Sequence, residues 1–343
     1  MPATAPTPIA ATPEQSLHPL LVLLLAPVAG ALVTLSLAPF DLWPAGILSC
    51  ALYGYLLCRC SAGQAIWRGW LYGLGLFGSG ASWVYVSIHV HGYASVPLAV
   101  LLTLLFCAGL ALLHSLFAWC YVRWIRALPG GMLMGFPALW VLFEWLRSWL
   151  LTGFPWLHLG YAHVDTWIAG WAPIFGVFGL SFICALTGSC LFLCWRSRQA
   201  VSITTYIGLI LTLWIGGSVL KPIEWVDRAS EQPLSVALYQ PNIPQEHKWD
   251  RAWYQPILEQ FEAAFKESEG RDIILWPESA IPSPYYRARD FLDPVAERAR
   301  QSESTLITGI PTRSADGQSY YNSILSLGQG RGQYDKQRLV PLE

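Results

Sequence analysis

Apolar residues dominate the first two-thirds of the chain in long, nearly uninterrupted stretches, approximately 19–37, 44–58, 66–88, 94–122, 132–152, 168–194 and 202–220. Runs near 20 apolar residues match the length needed to cross a bilayer core as a helix. Seven such stretches predict about seven transmembrane helices; the second is short. The first lacks a basic leader and is followed by further apolar stretches, so it reads as a retained span rather than a cleaved signal.

After Lys221 the period changes. Residues 234–241 alternate and end at a proline like a strand, and 251–267 have helical spacing. A strand at 272–276, a helix at about 286–302 and strands at 304–310 and 321–327 follow. Strands alternating with helices predict a layered α/β domain. The expected organisation is a membrane domain over 1–225 and an α/β domain over 226–343.

Charge sharpens that boundary. Asp, Glu, Lys and Arg number 11 in residues 1–220 and 32 in the remaining 123. A whole chain that is 54% hydrophobic and 13% charged lies far from the roughly 25% charge of soluble proteins. The net charge of −1, with no long basic run, leaves no electrostatic footprint for nucleic acid.

The arginines also orient the chain, because positive charge near span ends stays cytoplasmic. Arg59 and Arg68, Arg123 and Arg126, and Arg196 and Arg198 occupy alternate loops, whereas the intervening loops contain no Lys or Arg. An odd number of spans with the N-terminus inside then places everything after residue 220 outside, which in a bacterium is the periplasm.

Several local signals have plain structural readings. Gly73, Gly75 and Gly78 spell G-x-G-x-x-G, but they lie in an apolar helix, where small residues allow close helix packing rather than a dinucleotide turn. The eight cysteines (Cys50, Cys58, Cys60, Cys107, Cys120, Cys184, Cys190 and Cys194) all lie in or beside apolar stretches and read as small buried residues. The seven histidines have no metal-binding spacing, and neither a metal nor another cofactor is predicted.

Glu144 and Arg147, three residues apart, share one helix face. They read either as a structural ion pair or as a contact for a lipid headgroup or protein substrate. The adjoining LTGFPWLHLGY, with Trp156 and His158, reads as an interfacial aromatic belt or as a substrate-facing loop.

In the polar half, Glu278 directly follows an apolar strand in ILWPESAIP. Pro277 ends ladder pairing and leaves the carboxylate at the carboxyl edge of the sheet, where α/β folds place their sites. Lys336, in QYDKQRLVP, also follows a strand. Each residue alone would be read as a solvated surface charge; together they suggest a site.

ILWPESAIP and YDKQRLVP resemble the Glu and Lys motifs of the nitrilase superfamily, whose members use a Glu, Lys and Cys triad. GLGLFGSGASWVYVSI at 73–88, LTGFPWLHLGY at 151–161 and QPNIPQEHKWD at 240–250 narrow the resemblance to the apolipoprotein N-acyltransferases. It extends over the chain from about residue 19. The fold it implies is a multi-span α-helical membrane domain followed by part of a nitrilase-like αββα sandwich.

The activity the resemblance implies is transfer of an acyl chain from a phospholipid donor to the α-amino group of a diacylglyceryl-cysteine on an apolipoprotein acceptor. It further implies a monomer in a Gram-negative inner membrane. Glu278 would deprotonate the nucleophilic thiol, Lys336 would stabilise the tetrahedral oxyanion, and Trp249 would help to admit or hold acyl chains.

The sequence departs from the family pattern at the nucleophile, because no cysteine follows Cys194. The residues as written are therefore expected not to transfer acyl groups, and the family's second half-sandwich and last span are missing from them. The glycine that the family carries after the lysine motif's proline is also absent. Glu343 is either the family's active-site glutamate displaced by that loss, and so a substrate-binding residue, or an unrelated residue. Two readings of the function follow: an acyltransferase in complete form, or a membrane protein that binds lipid or lipoprotein without chemistry. A half-sandwich is also expected to expose apolar sheet edges and to be unstable when expressed alone.

Overall fold

The computed structural model describes residues 17–230, 232–314 and 316–337. It divides into two compact units, Met1–Trp225 and Val226–Glu343. Glu343 and Arg338, which flank the end of the lysine motif, lie outside the described residues.

The first unit is helical: α1 (Pro19–Ser36), α2 (Pro44–Cys58), α3 (Ala62–Gly80), the single turn α4 (Val84–Val86), α5 (Val96–Cys120), α6 (Phe136–Arg147), α7 (Ala172–Arg196) and α8 (Ala200–Leu220). Each of the seven apolar stretches contains one of the longer helices. Among the described residues, four helices are long and apolar enough to cross a membrane: Pro19–Ser36, Val96–Ile125, Trp167–Arg196 and Ala200–Leu220; Pro44–Cys58 is apolar but shorter. α5 and α8 turn large aliphatic side chains outward, among them Leu104, Leu105, Leu211 and Ile215. Such a surface is at home in lipid and not in water.

Three predicted spans are interrupted, that at 168–194 by a kink inside α7 at Gly176 (φ 64, ψ −169). The stretch 66–88 is helical only to Gly80, where the chain leaves the axis at Ala81 (φ −120, ψ 5) before α4 and a π-helical turn over Ser87–His91. The run Gly78-Ser79-Gly80 has low helix propensity, and hydropathy does not register it. The stretch 132–152 divides into a π-helical turn (Gly131–Gly135) and the 12-residue α6.

The glycine motif is a packing device at two of its three positions. A Cβ on Gly75 would overlap the Pro27 carbonyl of α1, and one on Gly73 would lie 2.7 Å from the Ala111 Cα of α5; nothing approaches Gly78. Glycine at the first two positions lets three helix backbones meet, as in lipid-embedded helix pairs.

Two arginines read as topology markers also end a helix. Arg68 donates to the Leu56 carbonyl at 2.6 Å, and Arg126 donates to those of Leu57 (2.9 Å) and Cys60 (2.8 Å). These carbonyls lie in and just beyond the last turn of α2, which has no further helical N–H to bind them.

The second unit is one mixed sheet of five strands in the order β1 (Val236–Leu238), β2 (Ile273–Leu275), β3 (Thr305–Arg313), β4 (Tyr320–Gly328) and β5 (Gly332–Asp335). β1, β2 and β3 pair in parallel through helical crossovers, and β3–β4 and β4–β5 pair antiparallel. The strands at 234–241 and 272–276 shorten to three ladder residues each. The crossovers contain the helices α9 (Gln245–Lys248), α10 (Arg251–Ser268) and α11 (Tyr285–Gln301).

One sheet face carries the core. Ile257, Leu258, Phe261 and Phe265 of α10 and Ala288, Leu292, Val295 and Ala299 of α11 recur at three- and four-residue steps. They bury against Ile274, Leu306, Ile310 and Leu325. The opposite face exposes Val236, Leu238, Ile324 and Tyr334.

Candidate active site

The ladder does not stop where β2 ends. The N–H of Trp276 donates to the Ile307 carbonyl at 2.9 Å, that of Gly309 to Pro277 at 3.2 Å and that of Ala280 to Gly309 at 2.8 Å. Residues 276–280 are thereby strapped along β3 with Glu278 at the crest. Gly309 makes this possible: a Cβ there would lie 2.6 Å from the Ser279 nitrogen and 2.7 Å from the Glu278 Cα. Ser279 adopts φ 48, a left-handed conformation that non-glycine residues keep only where surrounding bonds impose it.

Lys336 reaches the same place from β5. Asp335 pairs with Ser323 in the ladder, and the next N–H, that of Lys336, donates to the Asn322 carbonyl at 2.9 Å. Strand alternation turns Lys336 and Asn322 onto the face opposite the helices. There the Lys336 Nζ lies 3.5 Å from Glu278 Oε1, with the two side chains 32% and 67% exposed. A pair this open contributes only about 0–1 kcal/mol to stability. The arrangement leaves a carboxylate and an ammonium group reachable from outside, a base and a fixed cation at one strand-end position.

Two residues that the sequence reading did not single out complete the surroundings. The Asn322 amide donates from Nδ2 to Glu278 Oε1 at 2.5 Å. Lys248 donates from Nζ to the Glu278 backbone carbonyl at 3.3 Å; partial burial pushes its ammonium below the usual lysine range, with the Glu278 charge opposing the shift. Asn322 had a readable signal, an amide inside the apolar strand run YYNSILSL. Lys248 had only its place beside Trp249. That tryptophan immediately follows α9 and is 57% exposed, a free aromatic surface next to the lysine that holds the Glu278 backbone.

Beneath Lys336, on the core face, Asp335 Oδ1 accepts from the Ser323 hydroxyl at 2.6 Å and from Gln333 at 2.9 Å. These bonds hold the Asp335 carboxyl below the usual aspartate range. They also anchor the end of β5 from which Lys336 projects.

The second charged group that the sequence singled out lies in the helical unit. Glu144 Oε1 accepts from Trp140 Nε1 at 3.0 Å and from the Leu159 N–H at 2.8 Å, and Oε2 lies 3.6 Å from His158 Nδ1. Arg147 donates to the carbonyls of Trp156 (2.6 Å) and Leu157 (3.3 Å). Glu144, Arg147 and His158 are all buried. The two charges of α6 therefore grip opposite polarities of one backbone segment, residues 156–159. Of the readings open from sequence, this geometry favours a structural clamp.

Residues 29–190 match the family model described as the apolipoprotein N-acyltransferase N-terminal domain. Among curated proteins, the apolipoprotein N-acyltransferase of Pseudomonas syringae pv. tomato is 44% identical over 324 residues, 93% of this chain and 64% of its own length. That of Pseudomonas aeruginosa (strain PAO1) is 45% identical over 325 residues, 93% of this chain and 63% of its own length. That of Coxiella burnetii is 40% identical over 319 residues, 92% of this chain and 66% of its own length. The chain thus spans somewhat less than two-thirds of the length of these relatives. The aligned share takes in most of each unit, and on that similarity the chain belongs to the apolipoprotein N-acyltransferase family.

Proposed function

We propose that the protein serves lipoprotein maturation by moving an acyl chain from a phospholipid to the N-terminal diacylglyceryl-cysteine of apolipoproteins, through a thioester on a cysteine. The observation that carries this reading is the 3.5 Å approach of Lys336 Nζ to Glu278 Oε1 at an exposed strand end. Residues 195–343 contain no cysteine. Within the 343 residues the reading therefore assigns the base and the cation, and takes the thiol from outside them.

The chemistry balances as two acyl transfers. A free thiol has a pKa near about 8.5, so Glu278 removes its proton and the thiolate attacks the phospholipid ester carbonyl. The resulting oxyanion is held against Lys336. Collapse breaks the ester C–O bond, and the departing lysophospholipid alkoxide takes the proton back from Glu278. In the second half, the α-amine of the diacylglyceryl-cysteine attacks the thioester, an N–C bond forms, and the amine's proton passes by way of Glu278 to the released thiolate. Trp249 offers an apolar surface for the acyl chain.

Both substrates are lipid-anchored, which suits a chain with membrane-capable helices. The same proposal places the protein as a multi-pass inner-membrane protein with about seven spans, and residues 226–343 in the periplasm. A phospholipid with a labelled acyl chain, incubated with the product of the intact gene, tests the chemistry: label should move first to the protein as a hydroxylamine-sensitive thioester and then to a lipoprotein peptide. Normal accumulation of acyl-enzyme in Glu278→Gln would remove the base assignment.

A further inference from the structure

Two groups meet at one carboxylate oxygen. Asn322 Nδ2 donates to Glu278 Oε1 at 2.5 Å, and Lys336 Nζ faces the same oxygen at 3.5 Å. Among the described residues Glu278 Oε2 makes no hydrogen bond. Asn322 also holds Lys336 through its own backbone, whose carbonyl accepts the Lys336 N–H at 2.9 Å. One residue of β4 thus ties a carboxylate 44 positions earlier in the chain to a lysine on the neighbouring strand.

We propose that Asn322 is the positioning residue of the site: its amide pins Glu278 Oε1 beside the Lys336 ammonium and leaves Oε2 as the oxygen that takes the thiol proton. This inference rests on the acyl-transfer reading and deepens it. Glu278 is 67% exposed, so packing does not select its rotamer. A hydrogen bond to an ionised acceptor is short and strong, and it restricts a side chain that would otherwise sample several staggered states. The choice of oxygen has a chemical consequence. An oxygen occupied by an amide and faced by an ammonium is a poorer base than its free neighbour, and a proton transfer with the wrong oxygen presented is misplaced by roughly the 1 Å that costs about 100-fold in rate.

The role is separable from folding. The ladder bond to Lys336 uses the backbone carbonyl of residue 322, which any substitution retains. In the product of the intact gene, Asn322→Ala and Asn322→Asp should therefore slow acyl-enzyme formation by about 100-fold. The phospholipid KM should stay within about twofold and the melting temperature should not move. Asn322→Gln, which keeps the amide on a longer stem, should recover part of the rate. A wild-type rate in Asn322→Ala overturns the proposal. So does a loss that appears in KM, or one that Asn322→Gln shares in full.

A second measurement does not depend on turnover. In the 343-residue chain, labelling of Glu278 by a water-soluble carbodiimide and an amine should rise several-fold in Asn322→Ala, relative to the exposed Glu267 on α10. Equal labelling in the two proteins would show that the amide does not hold the carboxylate. If the wild-type gene product forms no acyl-enzyme while the labelling still rises, the acyl-transfer reading fails and the contact stands. If acyl-enzyme forms and Asn322→Ala matches wild type, the reading stands and the positioning role fails.

Discussion

Each unit brings a carboxylate and a cation into one neighbourhood, and the surroundings give the two sets opposite uses. In the helical unit, Glu144 and Arg147 are buried, and their bonds run mainly to the backbone of residues 156–159 and to Trp140. In the sheet unit, Glu278 and Lys336 stand 32–67% exposed at strand ends, with Glu278 Oε2 unengaged among the described residues. A buried charge is tolerated only when partners compensate its lost hydration, so the first pair is committed to structure. The second pair adds little stability and stays reachable from outside. Proximity of opposite charges does not distinguish a clamp from a reactive site; exposure does.

Four substitutions break or sharpen that contrast. Glu278→Gln in the product of the intact gene removes the proposed base, and general-base loss costs about 100- to 10,000-fold. Acyl-enzyme formation should fall within that range while thermal unfolding stays as in wild type. A large drop in melting temperature would place Glu278 with the structural charges. Arg147→Met leaves Glu144 buried with its positive neighbour gone and strips two carbonyls of their donor. Breaking a buried pair in this way costs about 3–5 kcal/mol, measured as loss of folded protein in detergent; unchanged stability would undo the clamp reading.

Lys336→Met should lower the rate of thioester formation by about 100- to 1000-fold, the range for loss of one oxyanion donor. Accumulation of acyl-enzyme at the wild-type rate would take the cation out of the mechanism. The smallest expected effect concerns pH. The Asp335 carboxyl is held down by Ser323 and Gln333, so its folded value lies below its unfolded one. The stability it contributes is complete above the unfolded range near about pH 4, and is lost as pH falls through the folded value. Asp335→Asn should flatten the acid limb of the stability curve of the sheet unit. An unaltered limb would show that this bond network does not anchor β5.

Much of the architecture was legible along the chain. Long apolar runs have one physical outcome in a helix-forming polymer, and every stretch read as a span contains a helix. The ends were less visible: the 66–88 run breaks at Gly80 because backbone propensity, not hydropathy, decides where a helix stops. α9 escaped notice because four residues are too few to show a period. In the site, Glu278 and Lys336 were identified by motif, whereas Gly309, Asn322 and Lys248 were not. Arg68 and Arg126 were read for their charge alone, and only the structure shows the carbonyls of α2 they complete.

The amino-acid order by itself determined the division into an apolar and a polar half, the helices of the first, the alternating strands of the second, and two strand-end residues of catalytic type. These are consequences of local periodicity and solvent preference, which act within a few residues. The tertiary structure alone decided that Glu278 and Lys336 meet, that Asn322 joins them and that Glu144 and Arg147 hold a loop. Each of these depends on the register between strands or the approach of distant backbones, and hydrogen bonding across such separations leaves no periodic trace in the chain.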